Sequence, residues 1–105
     1  MKTKYSRMVI GETCGDEQTK EFARIVREDC LPAIMSEPGF QSHQLLIEDH
    51  GRLTLLITTW DSRENCLRYH SSRAYRQMVA KTQHLLIGEF VVKLFVEPTV
   101  EPVTA

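Results

Sequence analysis

The side chains best suited to acid–base chemistry or to binding a flat ring lie between residues 40 and 85. His43 stands inside the apolar run FQSHQLLI. Histidine titrates nearest to neutral pH, so His43 is a candidate catalytic base or hydrogen-bond donor. A histidine at a strand edge or interface, bonded to backbone, is the structural alternative. Trp60 ends the next apolar run and offers a flat wall with one N–H donor, which suits an anchor bordering a pocket.

Tyr69 and His70 directly precede a serine pair that breaks a helical pattern. Such a break brings side chains over the mouth of a pocket, so we predict that Tyr69 is catalytic and that His70 contacts substrate. A half-buried tyrosine and a surface histidine are the structural alternatives. Tyr75 follows at the helical spacing typical of a core residue, and it is also a predicted substrate-binding residue.

Other site chemistries have little support in the sequence. The four histidines lack the short paired spacing of a metal site, and neither an HExxH motif nor a glycine-rich phosphate loop occurs. Cys14, Cys30 and Cys66 are scattered, without a CxxC pair, as is typical of reduced thiols in the cytoplasm. We therefore predict no metal and no cofactor.

The elements that position these residues follow from the apolar patterns. Helical spacing covers residues 17–36, where Pro32 predicts a kink or an early end. A second helical region follows Trp60 in two pieces, with Cys66 and Leu67 expected to point inward. β-branched and aromatic runs predict four strands, at residues 5–12, 40–49, 52–60 and 90–97.

Punctuating residues predict where these elements begin and turn. Asp16 is expected to cap the first helix, and Asp61 with Glu64 forms a capping-box pattern at the second helical region. Ser72 is expected to cap the helix that follows the break. The connection His50-Gly51 offers the positive φ that a tight hairpin between the second and third strands requires.

The resulting order is β-α-β-β-α-β, which predicts an α+β, ferredoxin-like domain with a four-stranded antiparallel sheet and helices on one face. The strands are apolar on both sides, so the face without helices would expose a large apolar surface. We therefore predict a homodimer in which two such sheets close a barrel, a dimeric α+β barrel.

Length and charge bound the function classes. The 105 residues fit one domain, predicted at 1–97, with a C-terminal tail at 98–105. The net charge of -1 argues against a nucleic-acid partner. No apolar run is long enough to span a bilayer, and the N-terminal residues lack the pattern of a secretory signal. The chain is therefore expected to be cytoplasmic, with no membrane partner.

Three stretches carry a resemblance to a known family. They are the turn at 37–40, Glu-Pro-Gly-Phe, the strand exit at 59–62, Thr-Trp-Asp-Ser, and the helical stretch at 72–75, Ser-Arg-Ala-Tyr. Together they resemble the antibiotic biosynthesis monooxygenase (ABM) domain, of the dimeric α+β barrel proteins, over residues 8–97. The resemblance implies a pocket between each sheet and its helices. Tyr69 occupies a position that lines this pocket in related proteins.

The family contains several chemistries, and the resemblance separates them residue by residue. Its haem-degrading members pair a first-strand Asn with a Trp and a His, whose positions match Tyr69 and about Val79 here, and the first strand has no Asn. Its aromatic-polyketide oxygenases share Trp60, whereas their Asn position matches Leu56 and their polar aromatic matches Cys66. Trp60 alone carries over, and Leu56 is kept as a predicted substrate-binding position.

These considerations favour a cofactor-independent monooxygenase acting on an aromatic or quinol-type small molecule. Deprotonated quinols can pass an electron to O₂ themselves, so the protein supplies a dry cavity, a hydrogen-bond partner and shape. The first alternative is a dimeric barrel that binds a small metabolite without turnover. Haem binding or degradation ranks third.

Overall fold

The structure is a computed structural model that describes residues 4–98. It contains four strands, each close to its predicted bounds. Most of the predicted tail, residues 99–105, lies outside the described residues. The strands are β1 (Tyr5–Glu12), β2 (Phe40–Ile47), β3 (Leu53–Trp60) and β4 (Val91–Val96).

The helices form two groups, one between β1 and β2 and the other between β3 and β4. Four α-helices are described, α1 (Asp16–Ile25), α2 (Leu31–Met35), α3 (Arg63–His70) and α4 (Arg73–Thr82). A π-helical segment, Val26–Cys30, joins α1 to α2, and a short 3-10 helix, Gln83–Leu85, follows α4.

All strand pairs in the sheet are antiparallel, in the order β2-β3-β1-β4. The element order and this strand order confirm the predicted ferredoxin-like α+β fold. β1 is central: Val9 lies opposite Leu56 of β3 on one side and opposite Val92 of β4 on the other. Residues that lie directly opposite each other share a face of the sheet, so this register decides what reaches the helices.

Alternate residues of β1 and β3 are buried under the helices, which follows from the period of two in a strand. Apolar side chains from the helices complete a single core on this side of the sheet. Its buried apolar residues are Val9, Phe22, Ile25, Val26, Cys30, Leu31, Ile34, Leu56, Trp60, Cys66, Tyr69, Ala74, Met78 and Leu85.

The opposite face of the sheet, called the open face below, is covered by no helix of the described chain. Register places eight apolar side chains on it, and Val91 and Phe95 are about half exposed there, at 51% and 47%. The open face carries Met8, Ile10, Leu46, Leu53, Leu55, Ile57, Val91 and Phe95.

The first helical region continues past Pro32 to Met35, so the early end expected there is not found. Pro32 stands in the first turn of α2, where the missing N–H has no helical partner to lose. The irregularity lies just before it, where the Leu31 N–H donates to the Val26 carbonyl, five residues back. This wider turn keeps both Val26 and Leu31 buried on the same side of the helix.

Two of the expected caps are wrong by one residue, because both aspartates lie beside the true cap position. Asp16 is the first residue of α1 and makes no cap hydrogen bond. α3 is capped by Ser62, whose hydroxyl accepts from the Asn65 N–H, while Asp61 bonds the Asn65 side chain. The prediction for Ser72 is confirmed: it caps α4 by accepting from the N–H of Tyr75.

Smaller corrections concern one side chain and one turn. Leu67 does not point inward: it is 43% exposed, whereas Cys66 is buried as expected. The positive φ of the β2–β3 hairpin falls on His50, at 55°, and not on the glycine after it. Gly39 in the Glu-Pro-Gly turn has φ 81°, and a Cβ there would collide with the side chains of Asp61 and Asn65.

Candidate functional site

The candidate site is centred on Arg7, a charged side chain in the middle of β1. It lies two residues before Val9 and therefore on the same face of the strand, so it points under the helices and is only 2% exposed. A buried cation is expensive unless an anion neutralises it. No carboxylate among residues 4–98 lies within 4.0 Å of its guanidinium nitrogens. The structure therefore leaves a positive charge in the core without a counter-ion from the described chain.

Rings of α3 and α4 surround the guanidinium. Its central carbon lies 4.2 Å from the ring centroid of Tyr75 and 5.0 Å from that of Tyr69, distances at which an aromatic face attracts a cation. Nη2 lies 2.8 Å from Nδ1 of His70. Arginine only donates, so Nδ1 accepts and the proton of the neutral imidazole is on Nε2.

A stack of aromatic rings continues from Tyr69 toward the β2 edge. Trp60 stacks on Tyr69 with centroids 4.9 Å apart and an interplanar angle of 23°. Phe40 meets the far side of the indole edge-on at 5.8 Å. The indole N–H donates to the hydroxyl of Thr58 at 2.9 Å, so Trp60 has no donor left for a ligand. Arg7, Trp60, Tyr69, His70 and Tyr75 are called the arginine–aromatic cluster below.

Two buried polar atoms in the cluster lack a hydrogen-bond partner among the described residues: Nη1 of Arg7 and the hydroxyl of Tyr69. An unsatisfied buried polar group costs about 1–3 kcal/mol, and such groups are rare in folded proteins. The two side chains that carry these atoms are in contact. The cluster thus contains two unused donors on side chains that touch each other, and of the two only Arg7 also lines a cavity.

Burial sets the protonation of the groups around Arg7. It raises the pKa of the Tyr69 hydroxyl well above its usual range, and the nearby positive charge of Arg7 offsets only part of this. Tyr69 is therefore a neutral O–H donor and not a base at physiological pH. Burial likewise raises the pKa of the Cys66 thiol. A protonated buried thiol is a poor nucleophile.

Two cavities flank the cluster. The smaller, of about 180 Å³, lies between α3 and β4 and is lined by Arg7, Cys66, Leu67, His70, Val92 and Leu94. Apart from Arg7 and His70 its walls are apolar or thiol, so a polar ligand atom there has one charged partner. A cavity of about 150 Å³ is enough to hold benzene, so this space fits a single substituted ring.

The larger cavity, of about 660 Å³, begins on the other side of Tyr75. Its volume is typical of small-molecule pockets, which span about 300–1,000 Å³. Its walls combine rings and aliphatic side chains with the polar tips of three residues. The lining residues are Tyr75, Val79, Gln83, His84, Leu86, Gly88, Glu89 and Phe90.

The structure brings together four of the six predicted site residues. Trp60, Tyr69, His70 and Tyr75 are all in the cluster. His43 is apart from them: it is exposed on the edge strand β2, where its ring stacks on Phe40 at 6.2 Å.

Leu56, the sixth predicted residue, is 2% exposed and packs in the core of the sheet. It lies opposite Val9 and Leu45 in neighbouring strands and lines neither cavity beside the cluster. The roles predicted for Leu56 and for His43 stay predictions.

Arg7 is the residue that the sequence analysis missed. The first strand was predicted from its apolar residues alone. The sequence feature that could have identified Arg7 is that it is the only charged residue between Tyr5 and Gly11. Charged side chains are almost never fully buried unless paired. A lone arginine on the inward phase of a central strand was therefore an available indication of a polar site. His84, treated as a helix-end residue, also lines the larger cavity.

Two absences within residues 4–98 bear on the class of site. These residues contain no group of three His, Cys, Asp or Glu side chains arranged to hold a metal ion. Within the same range, no helix combines the length and the apolar character that a membrane crossing requires.

The family model for the antibiotic biosynthesis monooxygenases matches residues 14–81. The chain therefore belongs to this family, which confirms the predicted resemblance. No curated protein matches the sequence. The match begins before α1 and ends in the last turn of α4, so it includes four of the five residues of the arginine–aromatic cluster and leaves Arg7 outside.

Three solved structures illustrate how similar the fold of this chain is to those of known proteins. A monooxygenase from the ActVA-Orf6 gene of Streptomyces coelicolor, in complex with nanaomycin D, is 12% identical with a TM-score of 0.81, over 98% of this chain and 95% of that one. SnoaB, a cofactor-independent oxygenase from Streptomyces nogalater, is 18% identical with a TM-score of 0.76, over 94% and 97%. Rv0793 from Mycobacterium tuberculosis is 17% identical with a TM-score of 0.72, over 94% and 98%. Identities this low establish the fold alone.

Proposed function

We propose that this protein is a cofactor-independent monooxygenase that acts on an aromatic or quinol-type small molecule. The observation that carries the proposal is the arginine–aromatic cluster itself, in which a buried cation with an unused donor packs against aromatic rings and lines the smaller cavity, while Tyr75 lines the larger. Membership of the family and a cofactor-independent oxygenase of the same fold support it.

The proposed reaction balances without a further reductant. A dihydroquinone and O₂ give a hydroxyquinone and water: one ring C–H bond becomes C–OH, the quinol is oxidised to the quinone, and the second oxygen atom leaves in water. All four electrons come from the substrate. The protein then has to bind the ring, favour its deprotonated form and exclude bulk water, and a buried cation beside a neutral donor does the second of these.

Each residue of the cluster has a proposed part in this reaction. The hydroxyl of Tyr69 donates a hydrogen bond to a substrate oxygen, because its raised pKa keeps it protonated. Tyr75 supplies a ring surface for the substrate at the larger cavity. Trp60 does not contact the substrate but holds the Tyr69 ring in position by stacking on it. His70 keeps the guanidinium in place through the 2.8 Å bond to Nδ1.

We also propose that the working molecule is a homodimer joined through the open face. Eight apolar side chains on that face, among them Ile57 at its centre and Phe95 at its edge, would otherwise meet water. Monomers rarely expose contiguous apolar patches of this kind. The same face on a second copy is self-complementary in a two-fold pair.

The test is oxygen consumption by the purified protein with a panel of dihydroquinones and polyphenols, in the presence of a metal chelator. We expect a rate above the protein-free autoxidation rate for at least one compound, and one labelled oxygen in the product when ¹⁸O₂ is supplied. Tyr69→Phe should lower that rate by about a hundredfold, the range seen when a positioned proton donor is removed.

Arg52→Gln is the matched control, because Arg52 is exposed in the β2–β3 connection, far from the cluster. It should leave the rate unchanged. No rate above autoxidation across the panel would remove the proposal. Saturable binding of the same compounds without oxygen uptake would instead favour the alternative, a dimeric barrel that binds a small metabolite.

A further inference from the structure

Arg7 has more binding capacity than the chain around it uses. Its guanidinium has five N–H donors, and the structure assigns one clear acceptor, Nδ1 of His70, at 2.8 Å. Nη1 is buried and has no hydrogen-bond partner among the described residues, and the Tyr75 ring lies 4.2 Å from the guanidinium carbon. Rings and one imidazole are neutral partners, so they leave the charge of Arg7 uncompensated.

The surroundings restrict what could compensate that charge. Arg7 lines the 180 Å³ cavity together with four apolar or thiol side chains and His70, and none of the six carries a negative charge. The Cys66 thiol does not supply one, since burial keeps it protonated. The buried hydroxyl of Tyr69, whose ring the guanidinium contacts, adds a second unused donor and no acceptor charge. The missing partner is thus an acceptor that carries negative charge and enters with a molecule of one-ring size.

We propose that Arg7 forms an anion subsite, which selects small aromatic molecules carrying an ionised oxygen, a carboxylate or a phenolate, held by the Arg7 guanidinium at the 180 Å³ cavity. This inference deepens the proposed function and rests on it in one respect, that the molecule bound there is the oxygenase substrate. Selection by charge is itself a binding property and is measured without any turnover. Bidentate or charge-assisted bonds to a buried arginine give the strongest such discrimination.

The first arm compares benzoate with benzamide, its neutral isostere, by titration calorimetry under anaerobic conditions. Wild-type protein is expected to bind benzoate about tenfold to a hundredfold more tightly than benzamide, the range of one hydrogen bond to a charged group. Arg7→Lys keeps the charge and should retain part of the preference, whereas Arg7→Gln should abolish it. Arg52→Gln removes the same charge from an exposed position and should leave both affinities as they are.

The second arm distinguishes a phenolate from a carboxylate. 4-Nitrophenol is yellow only as its phenolate, so adding wild-type protein at a fixed, mildly acidic pH should increase the yellow absorbance if the subsite binds phenolates. Arg7→Gln should give no increase. A preference for benzoate without this change identifies a carboxylate site, and the reverse result identifies a phenolate site.

Equal affinity of the wild type for benzoate and benzamide, with no colour change, overturns the inference, as does an undiminished preference in Arg7→Gln. The wild-type comparison needs no variant, so a failure of Arg7→Gln to fold does not affect it. Charge-selective binding without oxygen uptake would contradict the proposed function and leave the subsite intact. Oxygen uptake without charge selection would do the opposite.

Discussion

The two faces of the sheet are made from the same strands but differ in which residues they bury. On the helix side, β1 and β3 present Arg7 and Trp60 to a closed layer in which both are at most 2% exposed. On the open face the next residues, such as Met8 and Ile57, are apolar and partly exposed. The polar chemistry is therefore buried, and the apolar surface is at the outside.

The buried arginine and the exposed apolar face each run against the usual distribution of residues, and each motivates a separate proposal. A buried arginine with an unsatisfied nitrogen destabilises the fold, which is the observation behind the proposed ligand site. An exposed apolar face is uncommon in a monomer, which is the observation behind the proposed homodimer. The two proposals therefore assign chemistry to the helix side and association to the open face, and substitutions test each one separately.

Trp60→Ala should have the largest effect, because it empties the centre of the helix side. The indole is fully buried between Phe40 and Tyr69, and truncating a buried aromatic costs about 3–5 kcal/mol of unfolding free energy. Denaturant unfolding followed by circular dichroism measures it, since the variant has no tryptophan. Met35→Ala, at a 52% exposed position, should cost less than about 1 kcal/mol. Equal costs would contradict the assignment of the core.

Ile57→Lys tests the open face and should act on association instead of folding. A lysine at this central position would leave a charge without a partner in the proposed dimer interface, which costs several kcal/mol. We expect the dissociation constant of the dimer, measured by sedimentation equilibrium, to rise by about a hundredfold or more. The circular dichroism spectrum of the helices should be retained.

Gln77→Lys adds the same charge on the exposed surface of α4 and should not change the mass. A wild-type protein that sediments as a 12.1 kDa particle would contradict the proposed homodimer.

Tyr69→Phe should stabilise the fold while impairing the site. It removes a buried hydroxyl without a partner, so unfolding free energy should rise by about 1–3 kcal/mol. The folded-state pKa of Tyr69 is raised, so its contribution to stability is present below the unfolded value of about 10 and is lost as pH rises toward the folded value. The wild type should therefore lose stability above about pH 10, and the variant should lose less.

Denaturation midpoints from neutral to alkaline pH measure this difference. Tyr5→Phe is the matched control, because Tyr5 is partly exposed at the start of β1. A variant less stable than the wild type would indicate that the hydroxyl has a partner after all.

Ser72→Ala should give the smallest effect. Ser72 caps α4 by accepting from the backbone N–H of Tyr75, and loss of such a cap costs about 1 kcal/mol. Thermal unfolding measures it, with Ser71→Ala as the control, since Ser71 is exposed and does not cap the helix. Unchanged stability in both variants would mean that the start of α4 is fixed by packing alone.

Much of the fold was predictable because its signals are local. Periods of two and of three to four residues identified the strands and helices, and β1 begins and ends at the predicted residues. The helical region continues past Pro32 because a proline in a first helical turn loses no hydrogen bond, and the wider turn just before it lies between the buried residues Val26 and Leu31. The caps assigned to Asp16 and Asp61 were wrong by one residue each, which side-chain chemistry alone does not resolve, whereas the cap at Ser72 was correct.

The aromatic residues of the candidate site were predictable from the sequence, whereas its charged residue, Arg7, was not predicted. Trp60 and Tyr69 follow from spacing and from the helical break, and the structure stacks them at 4.9 Å. Arg7 is 68 residues away along the chain from Tyr75, and the pairing of β1 in the middle of the sheet brings the two together. His43 looked equally reactive in sequence, but its strand is an edge strand.

Arg7 and Met8 are neighbours in the chain that point to opposite sides of one central strand. The proposed ligand at Arg7 and the proposed second copy at Met8 would therefore contact opposite sides of the same strand. If ligand binding changes the dimerisation constant by some factor, dimerisation must change the ligand affinity by the same factor. The dimerisation constant measured with and without ligand, and the ligand affinity measured for monomer and dimer, should therefore give the same ratio.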